Sequence, residues 1–354
     1  MTTSPRLRWL RPNVDALQAY VPGEQPQEPG WVKLNTNENP LVLPQIVDAV
    51  AAAATSAIRT YPDPLCSDLR RAIGERYGLP PEWVLCANGS DELLTLAVRA
   101  AAGEGDRIAY PDPSYTLYET LAQIQNAFPI PVPLGPEWEL PVSDLAAAGA
   151  SLTFVANPNA PTGTPYALSD LEALAEAVPG LLVIDEAYVD FGGQTALPLL
   201  QRHERLVILR TMSKAFGLAG VRLGYAFGAP DTIGALRKVQ DSYPVDRLAQ
   251  VAGIAAMAHY HAALASCAQI AARRDRYAAL IRERFGWHVW PSATNFLLVR
   301  TAPLPAPEVH EGLRRRRVLV RYFARPRLEG CLRISVGTEE EMEALVGALG
   351  EVVE

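Results

Sequence analysis

The chain has 354 residues, 49% of them apolar and 20% charged, and carries a formal charge of −7 at pH 7. That length suits about two domains; the apolar share builds a sizeable core and excludes wholesale disorder, and the acidic balance argues against a general nucleic-acid binder. Only three of the 32 basic residues are lysines (Lys33, Lys214 and Lys238), and arginine cannot form an imine at neutral pH, so any lysine chemistry has three candidates.

The first forty residues hold six prolines and little periodicity, which predicts an extended arm. Arg6, Arg8 and Arg11 lie in it without an uninterrupted apolar run, so it does not read as a secretory signal, and a cytoplasmic protein is expected. Apolar runs then appear at Val84–Ala87, Leu152–Val155, Leu181–Ile184, Leu206–Leu209 and Leu223–Phe227. They alternate with helical patterns at Asp91–Ala102, Tyr115–Gln125, Leu168–Val178 and Ile233–Val239, which predicts βαβ units and a mostly parallel sheet. One long helical stretch is expected from Asp246 to Arg284; its alanine-rich part is too weakly hydrophobic for a membrane span. Beyond it, strands at Asn295–Arg300, Val318–Tyr322 and Leu332–Val336 and helices at Pro307–Arg316 and Glu339–Glu351 predict a smaller α+β unit. The expected division is residues 1–40 as arm and part of the small domain, 41–285 as the large domain and 286–354 as the small one. Cys66, Cys86, Cys267 and Cys331 are scattered without C-x-x-C spacing, and His259 and His261 at i, i+2 do not share a helix face, so neither a disulfide scaffold nor a metal site is expected.

Of the three lysines, Lys238 sits beside Arg237 on a helix and Lys33 precedes a polar stretch. Lys214 follows an apolar strand, is preceded by the hydroxyls of Thr211 and Ser213, and leads into a Gly/Ala loop ending at Arg222. Hydroxyls, backbone amides of small residues and a guanidinium are what a phosphate needs, and a lysine among them can form an imine with an aldehyde carried by that phosphate, as in pyridoxal phosphate. Such a ring requires a buried carboxylate at its nitrogen. Asp185 closes the run Leu181–Ile184 at the strand end where open α/β sheets place their sites, with Tyr188 three residues on for the ring's phenolic oxygen. Asn157, again directly after a strand, can donate to the same oxygen, and Gly89, Ser90 and Asp91 open a helix whose first amides suit an anion. Asn157, Asp185 and Lys214 lie 28 and 29 residues apart, one βαβ step each.

In this arrangement the chain resembles the fold-type I, class II aminotransferases, and most closely the histidinol-phosphate aminotransferase family. The motifs are Leu34-Asn35-Thr36-Asn37-Glu38-Asn39-Pro40, Tyr61-Pro62-Asp63, Pro113-Ser114-Tyr115, the Asn157 turn, Asp185-Glu186-Ala187-Tyr188, Ser213–Gly220, Asn295-Phe296 and Leu332–Thr338. The resemblance implies an α/β fold, with a large domain built on a mostly parallel seven-stranded sheet between helices plus a smaller α+β domain. It also implies pyridoxal 5'-phosphate bound to Lys214 and a homodimer with shared active sites. Tyr61 would reach the cofactor phosphate of the other subunit, Tyr115 would stack on the ring and Arg333 would clamp the substrate anion. The expected reaction moves an amino group from L-histidinol phosphate to 2-oxoglutarate, with Arg321 a second phosphate contact and Tyr20 and Tyr243 on the imidazole side. Aromatic amino acids as donors, or decarboxylation of a phosphorylated amino acid, are the alternatives on the same scaffold. An aminotransferase-like regulator is not expected, since only about thirty Pro-rich residues precede Lys33, too few for a DNA-binding module.

Overall fold

A computed structural model describes residues 9–17, 23–55 and 58–353. The arm contributes β1 (Val32–Lys33). The large unit is built on β2 (Val84–Ala87), β3 (Arg107–Asp112), β4 (Phe128–Pro133), β5 (Leu152–Ala156), β6 (Leu181–Asp185), β7 (Leu206–Thr211) and β8 (Gly224–Gly228). These form one seven-stranded sheet in the order β2-β8-β7-β6-β5-β3-β4, parallel from β7 to β4, with β8 antiparallel to both neighbours. The pleat sends Leu206 and Ile208 into one helix-covered core and Val207 and Leu209 into the other, which is why the inner strands read as unbroken apolar runs.

All five apolar runs are strands, and two further strands join them. β4 lies at the sheet edge and carries Pro129, Pro131 and Pro133. Its alternate amides face β3: Phe128 N donates to Asp106 O at 2.7 Å and Leu134 N to Asp112 O at 2.9 Å. The prolines thus occupy the outward positions that need no donor, and their density hides the strand in the sequence. The single helix expected from Asp246 to Arg284 is two, Arg247–Ala258 and Tyr260–Phe285, meeting at 79° about His259. The Tyr260 ring is buried beside Tyr77 and Phe216, an arrangement a straight helix would not produce.

The small unit holds β9 (His288–Val289), β10 (Phe296–Arg300), β11 (Val318–Leu319), β12 (Arg321–Tyr322) and β13 (Cys331–Ser335). β12-β13-β10-β9 is an antiparallel sheet, while β11 pairs in parallel with β1. The strand expected over Val318–Tyr322 is therefore two strands in two sheets, divided at Val320. The second half of Tyr260–Phe285 supplies Tyr277 and Ile281 to the small core, after Cys267 and Ile270 have packed in the large one. No single helix among the described residues is long and apolar enough to cross a membrane.

One buried ion pair ties the ends of β6 and β7. Arg210 Nε and Nη2 both donate to Glu186 Oε2, at 3.0 and 2.8 Å, and Nη1 donates to Tyr77 Oη at 3.1 Å. Thr195 Oγ1 and Ala196 N donate to the same carboxylate. Removing one partner of such a pair strands a buried charge. Arg210 Nη1 also lies 3.6 Å from Asp190 Oδ1. Arg210→Met is expected to lose about 3–5 kcal/mol in urea unfolding, and Arg210→Met with Glu186→Leu to regain only part of it, because Asp190 still lacks its cation.

Candidate active site

The C-terminal ends of β5, β6 and β7 and the start of β8 lie on one edge of the large sheet, with Ala156 opposite Asp185, Asp185 opposite Leu209, and Thr211 and Ala87 both opposite Gly224. Parallel strands expose their terminal residues and following loops at this edge, so the sequence-distant Asn157, Asp185 and Lys214 converge there.

Asp185 is 6% exposed. Its Oδ1 accepts from Ala187 N at 3.0 Å and its Oδ2 from Tyr118 Oη at 3.3 Å; no cation pairs with it among the described residues. Burial, with the nearby Asp91 and Glu186 charges adding to it, pushes the carboxyl from 3.8 up to about 6. Tyr118, stacked on Phe154 at 4.7 Å, is held well above an ordinary phenol by burial and by the same carboxylate. Tyr118 is a site residue that the motifs do not mark; its place three residues after Tyr115, which precedes the helix Leu117–Gln125 and meets its ring edge-on at 5.7 Å, is the signal that points to it.

The anion cradle is built from backbone. Gly89 has φ +81, and Asn88, at the N-cap of Gly89–Ala101, makes no side-chain cap bond. The first-turn amides therefore have no acceptor within the helix. A Cβ at Gly89 would meet Arg222 Nη2 at 2.9 Å, and one at Gly224 would meet Ser90 N at 2.5 Å, so β8 packs directly on the Gly89–Ser90 peptide. Asp91 accepts from Tyr115 Oη at 3.1 Å and pairs with Arg222 Nη2 at 3.3 Å. The buried hydroxyls of Thr211 and Ser213 bond each other at 3.0 Å. Asn157 is fully buried, donating to Gln194 O at 2.9 Å and accepting from Tyr166 N at 2.8 Å.

Lys214 Nζ donates to Thr36 O at 3.2 Å and lies 5.6 Å from the Tyr188 ring centre. Tyr188 Oη accepts from Asn37 Nδ2 at 3.0 Å. Arg333 Nη2 donates to Asn35 O at 2.9 Å, and Asn39 Nδ2 to Lys214 O at 3.0 Å. Residues 35–39 thus run as a strap between the units: Asn37 N donates to Ser335 Oγ at 2.8 Å and Asn295 Nδ2 to Asn37 O at 2.9 Å. Lys33 braces the strap, its Nζ reaching Glu38 Oε1 at 2.5 Å and Thr36 Oγ1 at 2.9 Å.

Arg321 stands directly opposite Arg333 across β12 and β13. Tyr61 and Tyr243 lie away from this cluster of contacts, stacked on each other at 4.5 Å and largely exposed. Tyr20 lies outside the described residues.

Comparison with known proteins shows the family. The model of the family Aminotransferase class I and II matches residues 29–349. Histidinol-phosphate aminotransferase 1 of Nostoc sp. is 42% identical over 348 residues, 98% of each chain. The histidinol-phosphate aminotransferase of Syntrophotalea carbinolica is 43% identical over 97% of this chain and 99% of its own. Among solved structures, histidinol-phosphate aminotransferase from Sinorhizobium meliloti in complex with pyridoxal-5'-phosphate superimposes with a TM-score of 0.91 at 28% identity, covering 98% of both chains.

The raised Asp185 carboxyl has a measurable consequence in cofactor-free protein. Between 3.8 and about 6 the folded state binds more protons than the unfolded one, so this group's contribution to stability falls as pH rises through that window. Asp185→Asn removes the cost and is expected to stabilise the cofactor-free chain above pH 6 by up to about 3 kcal/mol, with no gain below pH 4. Thermal unfolding across that range measures it.

Proposed function

Because the chain belongs to the class I and II aminotransferases, we propose that it transfers the amino group of L-histidinol phosphate to 2-oxoglutarate, giving imidazole-acetol phosphate and L-glutamate, with pyridoxal 5'-phosphate as cofactor. The observation that carries this reading is the meeting, at one sheet edge, of a lysine, a carboxylate buried without a cation among the described residues and an anion cradle, with two opposed arginines on the neighbouring unit.

The donor set fits the cofactor. A carboxylate buried without a cation among the described residues suits a protonated ring nitrogen, and Gly89, lacking a Cβ, lets the Arg222 guanidinium approach the first amides of its helix, a pairing that suits a phosphate. In this reading the amides of Gly89, Ser90 and Asp91, the hydroxyls of Thr211 and Ser213, and Arg222 hold the phosphate. Asn157 and Tyr188 bond the phenolic oxygen, and Tyr115 covers the ring. When bound, the cofactor supplies a ring that withdraws electrons from the carbon bearing the amine.

The remaining work is done by this chain's side chains. Asp185 keeps a proton on the ring nitrogen. Lys214 Nζ, released as a neutral amine, takes the proton from the amine-bearing carbon and returns it on the other side of the transfer, a general base and acid in turn. The Thr36 carbonyl orients that amine. Arg333 clamps the substrate anion, phosphate or carboxylate, and Arg321 adds a second contact to phosphate. Tyr20 stands as an imidazole-side residue, and Tyr243, which stacks on Tyr61 away from the Lys214 cluster, takes that role together with Tyr61 in the partner's site.

A homodimer with shared active sites belongs to the same reading. The helix Pro44–Ala54 packs on Arg247–Ala258 but buries only Ile46, and Leu41, Val42, Val47, Ile58, Tyr61 and Leu65 are exposed near it. An apolar face of this kind suits a second copy of the chain, with Tyr61 reaching the partner's cofactor phosphate.

Incubation with histidinol phosphate and 2-oxoglutarate is expected to yield glutamate. Turnover restricted to phenylalanine or tyrosine, or release of carbon dioxide, would replace this reading by an aromatic aminotransferase or a decarboxylase. Lys214→Ala is expected to lose the long-wavelength absorbance of the bound cofactor and nearly all turnover. Val47→Glu is expected to give a monomer in sedimentation, with activity falling alongside the dimer fraction.

A further inference from the structure

Two like charges directly opposite each other on antiparallel strands repel, and β12–β13 places Arg321 and Arg333 in that relation. The ring of Phe323, one residue beyond β12, meets both of them. The Arg321 guanidinium carbon lies 5.5 Å from its centre and that of Arg333 5.4 Å, each within cation–π range. Phe296 takes Arg333 at 5.3 Å and packs edge-on against Tyr188 at 5.2 Å. A row of stacked groups therefore leads from the Lys214 neighbourhood to Arg321.

Phe323 is not free to drift. It packs against the core of the large unit, and Leu328, further along the same β12–β13 connection, is buried in that core. Arg325 Nη2 reaches Glu119 Oε2 at 2.9 Å. Arg327 donates to Leu134 O and Gly135 O, both at 2.6 Å, and lies 4.3 Å from the ring centre of the buried Trp138. The loop between the two arginine strands is thus rooted in the large unit, which also carries Lys214 and Asp185.

We propose that Phe323 is a specificity-determining positioning residue, holding Arg321 and Arg333 side by side against their repulsion so that both meet one doubly charged phosphate. This rests on the phosphate-substrate reading above for the arginines' roles. A phosphomonoester dianion balances both guanidiniums, whereas the α-carboxylate of glutamate offers one charge and needs Arg333 alone. Phe323 therefore acts on the choice between the two amino donors, through the arginines rather than by touching the reacting atoms.

The test uses holoenzyme and single-turnover mixing, following cofactor absorbance, with glutamate and with histidinol phosphate, and with inorganic phosphate as competitor against glutamate. Phe323→Ala and the bulk-preserving Phe323→Leu are expected to weaken binding of histidinol phosphate and of inorganic phosphate by about tenfold or more, the loss of one to two cation–π contacts. Glutamate binding should shift by less than about threefold, limiting rates should hold, and Phe323→Tyr, which keeps the ring, should match the parent. Equal weakening of glutamate and phosphate, a loss confined to the limiting rates, or Phe323→Tyr failing with the others would overturn the proposal. Parent enzyme that turns over glutamate but not histidinol phosphate would instead overturn the substrate assignment, while the phosphate-to-glutamate ratio across the Phe323 variants still decides the role of Phe323.

Discussion

Two consecutive carboxylates at the end of one strand, Asp185 and Glu186, govern how this site is built. The pleat turns them to opposite faces of the sheet. Glu186 meets Arg210, whose planar fork satisfies it together with Thr195 and Ala196 N. Among the described residues Asp185 meets a phenol and one amide and no cation, so its charge is unbalanced there at the sheet edge. A fold can bury an unpaired carboxylate only at a cost, and such costs concentrate where a cationic ligand group later repays them. The compensated carboxylate ties the strand ends together; the uncompensated one is the group that the proposed reading places at the cofactor's ring nitrogen.

Much of the large unit was legible because its inner strands are buried on both faces and read as plain apolar runs. What stayed hidden did so for identifiable reasons. β4 carries a proline at every second position, a pattern that looks like a loop until the edge register makes the missing amides harmless. The bend at His259 coincides with the Tyr260 ring packing beside Tyr77 and Phe216, contacts from distant parts of the chain that an alanine-rich stretch does not announce. The division of Val318–Tyr322 between two sheets depends on the distant strand Val32–Lys33, which a short apolar run cannot announce.

The candidate site divides in the same way. Lys214, Asp185 and Asn157 were legible because strand ends separated by βαβ steps must share an edge. Tyr118 and Phe323 were not, because each acts on a charged side chain from another element: Tyr118 on Asp185 and Phe323 on Arg321 and Arg333. Aromatic residues are ordinarily core or surface filler, and only the partner's identity marks these two. Arg210 was hidden for the opposite reason. A single charge inside Leu206–Thr211 looks like a break in the apolar pattern, and its meaning lies in Glu186 on the neighbouring strand.

The strap of residues 35–39 shows why the two units cannot be treated separately. Consecutive carbonyls, Asn35 O and Thr36 O, receive the Arg333 guanidinium from the small unit and the Lys214 amine from the large one. The two carbonyls belong to successive peptide planes joined at the Thr36 Cα, so one backbone segment, through the φ and ψ of Thr36, relates the positions of these two cations. The strap is held at both ends, by the pairing of β1 with β11 on one side and by Asn39 on the Lys214 backbone on the other. In the proposed reading, an anion at Arg333 would compete with Asn35 O, and an amine engaging Lys214 would compete with Thr36 O. Contacts from the two units therefore fall on consecutive residues of one segment, which links the position of the Arg333 guanidinium to that of the Lys214 amine.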